Sequence, residues 1–138
     1  VKPHSIDTNI VIRFLVEDPK RIPARFKGVY SFFRRIERAE VIAELHALVV
    51  FEAFFVLTSC YEIPASEAAR RLHLITSLKG MRMHEKPVVL RCLEILETDG
   101  VDLVDAYILA HAEIRGLDAV YSFDRDLFKR GLRVLPVE

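Results

Sequence analysis

The chain has 138 residues, the size of one ordinary domain, and its 51% hydrophobic and 29% charged content excludes a disordered tail or a low-complexity linker. Lys and Arg number 20 and Asp and Glu number 20, so the formal net charge is zero, which argues against a domain held to nucleic acid by bulk charge alone. Cys60 and Cys92 stand in apolar, helical-looking stretches without metal-ligand spacing, and they are expected as core thiols of a reducing compartment. No apolar run approaches the roughly eighteen residues of a membrane span, and no secretion signal pattern opens the chain; the expected location is cytoplasmic, with no membrane partner.

In chain order, His4 to Asp7 reads as a short strand. Thr8 or Asn9 can cap a helix through Ile10, Val11, Phe14 and Leu15 that stops at Asp18-Pro19. A second helix is expected over Pro23 to Ala39, with Phe26, Val29, Phe32, Phe33 and Ile36 on one face and Gly28 weakening its middle. Glu40 to His46 reads as a strand, Leu48 to Tyr61 as an apolar helix buried nearly all round, and Ser66 to Leu78 as an amphipathic helix. Met81 to Met83 offers a third strand. Helices follow from Pro87 to about Glu97 and from Leu103 to Arg115, the latter closed by Gly116. Ala119 to Ser122 and Leu132 to Leu135 are β-like, with a helical piece at Arg125 to Lys129 between them. Strands separated by helices imply an α/β fold with a parallel sheet covered on both faces. In such sheets the ligand site lies past the carboxyl ends of the strands.

Four carboxylates stand out against that frame. Glu52 interrupts ALVVFEAFFVL, where an ionised group is costly to bury unless it is paired or reaches the solvent edge. Asp105 interrupts VDLVDAYILA and can also be read as a helix N-cap or a first-turn acid. Asp7 and Asp124 directly follow strands, a position that ordinary turn chemistry also favours. A parallel sheet would gather all four at one edge. At a separation of about 6 Å and an effective dielectric of about 20, each ionised pair repels by roughly 3 kcal/mol. Protonation or a divalent cation must then relieve the charge. Oxygen ligands without a His or Cys cluster favour Mg²⁺ or Mn²⁺ over zinc, and a phosphodiester is the natural substrate for such a site.

These residues resemble the PIN domains, and within them the VapC-type toxins of toxin–antitoxin pairs. The resemblance rests on IDTNIVIRFLVEDP, the FEAFFVL helix with Glu52, VDLVDAYILAHAEIRG and VYSFDRDLFKRGLRVL, in that order along nearly the whole chain. It implies a PIN-like three-layer α/β fold over residues 1–138 as a single domain, with a central parallel sheet of four to five strands flanked by helices. It further implies a Mg²⁺- or Mn²⁺-dependent endoribonuclease preferring single strands, with Asp7, Glu52, Asp105 and Asp124 as catalytic and metal-binding acids. A homodimer and a cognate antitoxin that fills the site are implied as well. Asp105 takes the family's Asp-Ala position, with Asp102 three residues earlier as a competitor; Asp126 competes in the same way with Asp124. Asn9 and Ser122 match polar positions that hold neighbouring carboxylates, and both equally suit caps or turns.

Lys20 to Arg38 carries seven basic residues, among them Arg21, Arg25, Arg34, Arg35 and Arg38, against the single acid Glu37. A solvated helix face, an RNA backbone track and an antitoxin-docking face all fit this stretch. The five histidines form no zinc-like pair, and Ser5, Ser59 and Cys60 lack a nucleophile's setting. Three further readings remain: a PIN-like processing nuclease outside a toxin system, an acidic-pocket phosphoryl-transfer or phosphatase domain, and a weakly catalytic interaction module. The second would want Asp-x-Asp after the first strand, and Asp7-Thr8-Asn9 does not supply it.

Overall fold

Ile6, Ala43, Leu45 and Met81 are all buried, and each lies in or beside a strand of only two or three residues. The computed structural model describes residues 2–138. Strands β1 (His4–Ser5), β2 (Ala43–Glu44) and β3 (Met81–Arg82) form one parallel sheet in that order, with His4 opposite Ala43 and Ala43 opposite Met81. Strands β4 (Ala119–Tyr121) and β5 (Arg133–Leu135) pair in parallel as a separate ladder. Every strand pair is thus parallel, and the backbone pairing is divided three and two. Parallel neighbours need crossovers. The connections supply them: helices α1 (Thr8–Val16) and α2 (Gly28–Glu37) between β1 and β2, α3 (Ala47–Ser59) and α4 (Ala65–Thr76) between β2 and β3, and α5 (Lys86–Thr98) and α6 (Leu103–Arg115) before β4.

Several boundaries differ from the sequence reading, each for a local reason. The stretch expected as one helix from Pro23 to Ala39 is a 3₁₀ turn, Ala24–Phe26, followed by α2, because the N–H groups of Phe26, Lys27 and Tyr30 bond carbonyls three residues back. Its apolar face turns inward all the same, with Val29, Phe33 and Ile36 buried and Phe26 and Phe32 half-buried. The helical piece expected from Arg125 is a shorter 3₁₀ turn at Phe128–Arg130. Helix α3 is not buried all round. Val50, Ala53, Phe54 and Leu57 face the core, while Leu48 is 79% and Phe55 55% exposed. Cys60, just past α3, is exposed rather than core; Cys92 is buried, and desolvation pushes its thiol up to about 12. Helix α6 ends as expected, with Gly116 in the left-handed conformation at φ 68°.

One buried cluster unites Ile6, Val11, Phe33, Leu45, Leu57, Leu72, Val89 and Leu103 from β1 through α6. A smaller cluster of Ala112, Leu127 and Leu132 seats the β4–β5 region on α6. Two polar devices reinforce the packing. Glu67 accepts from Arg70 Nε and Nη2 at 2.9 and 2.6 Å and from Arg71 Nε at 3.0 Å, and Arg71 Nη1 donates to the Leu15 carbonyl at 3.0 Å, which ties the end of α1 to α4. Gly80 enters β3 so close to the connection between α2 and β2 that a Cβ would stand 2.3 Å from the Val41 carbonyl oxygen and 2.7 Å from that of Ile36. Its N–H donates to Ile36 O at 2.9 Å and its carbonyl accepts from Ala43 N at 3.0 Å.

Two outcomes follow from these contacts. Gly80→Ala, which drives a methyl group into backbone oxygens, lowers stability by about 1–3 kcal/mol, as read from urea denaturation. The Arg70 and Arg71 hydrogen bonds hold the Glu67 carboxyl down at about 2. A depressed carboxylate contributes stability above its unfolded value and loses it as the pH falls through the folded one. Glu67→Gln is therefore less stable than the wild type at neutral pH, and thermal melts show the difference closing between about pH 5 and pH 2.

Candidate active site

The acids sit where helices begin. Asp7 leaves β1 in extended conformation and is itself the N-cap of α1: its Oδ1 accepts the Thr8 N–H at 2.7 Å. The sequence reading gave the cap to Thr8 or Asn9; the carboxylate one position earlier takes it because it reaches the first free N–H of the helix. Asp102 caps α6 in the same way, accepting the Asp105 N–H at 2.9 Å. That settles the capping alternative for Asp105, which lies in the first turn and has no hydrogen bond on its carboxylate among the described residues. Following β4, Ser122 Oγ accepts the Asp124 N–H at 2.9 Å, and Asp124 Oδ1 accepts the Asp126 N–H at 3.1 Å. Asp7, Asp102 and Asp124 are thus each aimed by one backbone N–H and keep a second oxygen available.

The structure brings the predicted acids together in two groups. Asp7, Asn9 and Glu52 line one cavity of about 420 Å³ with Arg13, Val56 and Tyr61. Glu52 projects from the second turn of α3 and is exposed, so of the readings offered for it the solvent-edge one holds: α3 presents this flank to solvent. It makes no ion pair or hydrogen bond among the described residues. Asp102, Asp105 and Asp126 line a second cavity, of about 270 Å³, together with Lys129 and Arg130. Burial raises the Asp105 carboxyl above the ordinary aspartate value, and the like charges of Asp102, Asp124 and Asp126 raise it further. Among the described residues, no three His, Cys, Asp or Glu side chains are arranged to hold a metal ion as they stand. The mutual repulsion expected of four fully converged carboxylates therefore does not arise in this arrangement. The donor chemistry nonetheless fits a hard divalent cation, since every donor is a carboxylate oxygen and the pressure on Asp105 is of the kind a cation removes.

The predicted arginines divide by position. Arg25 stands with its guanidinium carbon 4.6 Å from the Phe26 ring centre and lines a third cavity that also includes Asp7. Arg21 pairs loosely with Asp18 at 3.8 Å and Arg38 with Glu40 at 3.9 Å, both exposed. Arg34 and Arg35 occupy the last turn of α2, where they complement the helix dipole; from Gly28 they lie about 9–10 Å along the axis. Sequence reasoning missed Arg13, which lines both cavities that contain Asp7, packs 3.9 Å over Phe26 and bonds Glu17 at 2.7 Å. Its signal was present, because Arg13 interrupts the apolar run of α1 as Glu52 interrupts α3. Lys129, Arg130 and Tyr61 were also missed; they reach the acids only through tertiary packing. Ser5 Oγ and His46 Nε2 share a hydrogen bond of 2.8 Å across the ends of β1 and β2, with no third group to complete a nucleophilic relay among the described residues.

The order of elements, with acids at the ends of β1 and β4 and at the starts of α1 and α6, agrees with a comparison against protein families. The model described as PIN domain matches residues 5–131. The chain belongs to the PIN-domain family. PIN domains are metal-dependent nucleases that act on RNA, which places this chain in the nuclease class of hydrolases. No curated protein matches the chain significantly. Among the described residues, no helix of this PIN domain is long and apolar enough to cross a membrane.

In metal-free buffer Asp105→Asn raises the melting temperature at neutral pH, because it removes an ionised group that burial and three neighbouring acids disfavour. The sign is fixed by the upward displacement: the penalty exists only where the wild-type carboxyl is charged, so the two melting curves converge on acidification.

Proposed function

We propose that the protein is a divalent-metal-dependent endoribonuclease that hydrolyses phosphodiester bonds of single-stranded RNA, and that the chain works as a single PIN-like domain. The observation that carries this reading is the gathering of Asp102, Asp105 and Asp126 around one hollow with Asp124 nearby, where burial first and like charge second raise the Asp105 carboxyl, in a chain whose Asp7 and Glu52 share a second acidic hollow. Asp7, Glu52, Asp105 and Asp124 are the residues that hold Mg²⁺ or Mn²⁺. Bound there, the cation supplies Lewis-acid polarisation of the phosphate and activation of water.

The chain's own groups do the rest. The backbone N–H of Thr8 fixes Asp7, and Ser122 and the Asp126 N–H fix Asp124, so each carboxylate needs little reordering to act. Asp102 gives one oxygen to the α6 cap and lies beside Asp105, where, after burial, it helps to raise the Asp105 carboxyl. Glu52, exposed and unpaired, is the group free to take a proton from the attacking water. Asn9 lines the same hollow and can orient that water. Arg13, Arg25, Lys129 and Arg130 border the acids and offset phosphate charge on approach.

The toxin role in a VapBC-type pair rests on the resemblance of the four quoted segments to VapC-type chains. An antitoxin would neutralise the same acids and meet the basic groups of Arg21, Arg25, Arg34, Arg35 and Arg38. A homodimer is supported by α3, where Leu48 and Phe55 are large apolar groups left 79% and 55% exposed.

Purified protein cleaves single-stranded RNA with Mg²⁺ or Mn²⁺ and stops on chelation. Asp7→Asn and Glu52→Gln each lower kcat/KM by about 100-fold or more, a loss of roughly 2.7 kcal/mol of transition-state stabilisation, while both still melt cooperatively. Cleavage that ignores the chelator, or variants that cut like the wild type, would overturn the assignment. For the toxin role, expression arrests growth and Glu52→Gln abolishes the arrest.

A further inference from the structure

The cavity on the other side of Asp7 differs from the acidic hollows. It measures about 460 Å³ and is walled mainly by Ile10, Phe26, Val29 and Phe32, from α1, the 3₁₀ turn and α2. That volume lies within the roughly 300–1,000 Å³ range of small-molecule sites. Arg13 and Arg25 stand over the Phe26 ring at 3.9 and 4.6 Å from its centre. Asp7 and Arg13 line both this cavity and the Asp7–Glu52 hollow, so the two spaces are neighbours across shared walls.

We propose that this cavity is a nucleobase subsite: one unpaired base of the RNA strand inserts between α1 and α2 and stacks on the Phe26–arginine assembly, while its phosphate lies toward Asp7 and Glu52. The proposal rests on the nuclease reading of those acids. An aromatic wall with guanidinium groups is the surface on which unpaired bases stack without sequence readout. Arg25 is exposed and has no acidic partner among the described residues, which leaves its charge for the strand's backbone. An apolar protein side chain would fill the walls equally well but would leave Arg25 without an anion, whereas Arg13 already has Glu17. Charge complementarity therefore favours the polyanion. A duplex, whose bases are stacked inside, cannot enter, so the cavity would also account for a preference for single strands.

Gly28 lines the cavity, and a Cβ built on it meets nothing within 4 Å. Gly28→Leu therefore places a side chain at the mouth without a backbone clash, and Gly28→Ala is its control. The experiment is steady-state cleavage of a short single-stranded RNA in Mn²⁺, with single abasic sites scanned along it. The expected result is one position beside the cut bond where loss of the base raises KM about 10-fold, within the worth of one stacked base. Gly28→Leu raises KM by a similar factor for intact RNA and erases the difference between intact and abasic strands. Gly28→Ala, which adds only one methyl group, raises KM less than Gly28→Leu does, and melting curves show all three folded. Absence of any sensitive position, or a Gly28→Leu enzyme with wild-type KM, overturns the subsite and leaves the cavity to a protein occupant. If the wild type cleaves no RNA with any divalent metal, the nuclease reading itself fails, and that control shows it before any variant is made.

Discussion

Asp7 takes the first free N–H of α1 and Asp102 takes the Asp105 N–H at the start of α6, at 2.7 and 2.9 Å. The arrangement of the site depends on these two caps. A carboxylate at a helix N-terminus is favoured by unsatisfied N–H groups and by the helix dipole, so the charges are held by groups the helices need in any case. The caps place one acid at the end of β1 and free another, Asp105, one turn into α6. Because α6 leads into β4, its start and the Asp124 turn after β4 come near one another, and Asp105 feels both. Folding thus concentrates negative charge without burying it deeply: Glu52, Asp7 and Asp124 are exposed, and Asp105 is only partly covered.

The zero net charge of the chain hides this separation. Acids collect around α6 and the turn after β4, bordered by Lys129 and Arg130, while the surplus of cations lies between Lys20 and Arg38, from which Arg25, like Arg13 of α1, lines a cavity with Asp7. A polyanion approaching the acids is repelled until cations intervene, whether supplied by the chain's arginines or by a divalent ion. Arg13 is placed to act on both sides of Asp7. Its contacts with Phe26 and Glu17 fix its guanidinium between an acidic hollow and an apolar one. Substrate binding and acid placement are in this way coupled through one short helix.

Much of the fold was legible because helix and strand periodicity survive in the packed protein. Most apolar positions of α4 and α5 turn inward, α6 buries Leu103, Ala106, Ala110 and Ala112 while Val104 and Ile114 stay exposed, and the Leu103 to Arg115 helix appears with the predicted ends. The acids were legible as interruptions of apolar runs or as strand-terminal residues. Which of several neighbouring polar residues caps a helix was not, since that depends on the reach of one side chain to one N–H; Asp102 took the place over Asp105, and Asp7 over Thr8 or Asn9. The exposure of Glu52 was hidden because α3 is apolar on its solvent side as well, so composition overstated its burial. The break at Lys27-Gly28 and the roles of Lys129 and Arg130 come from tertiary placement, which local pattern does not encode.

The central claim is that the carboxylates at these helix starts form one cation-binding unit. Titration of the purified protein with Mn²⁺, followed by the loss of the free-ion paramagnetic resonance signal, tests it directly. Saturable binding that is weakened by both Asp7→Asn and Asp105→Asn, one from each acidic group, is the predicted result. Absence of binding, or binding indifferent to both substitutions, would contradict the account.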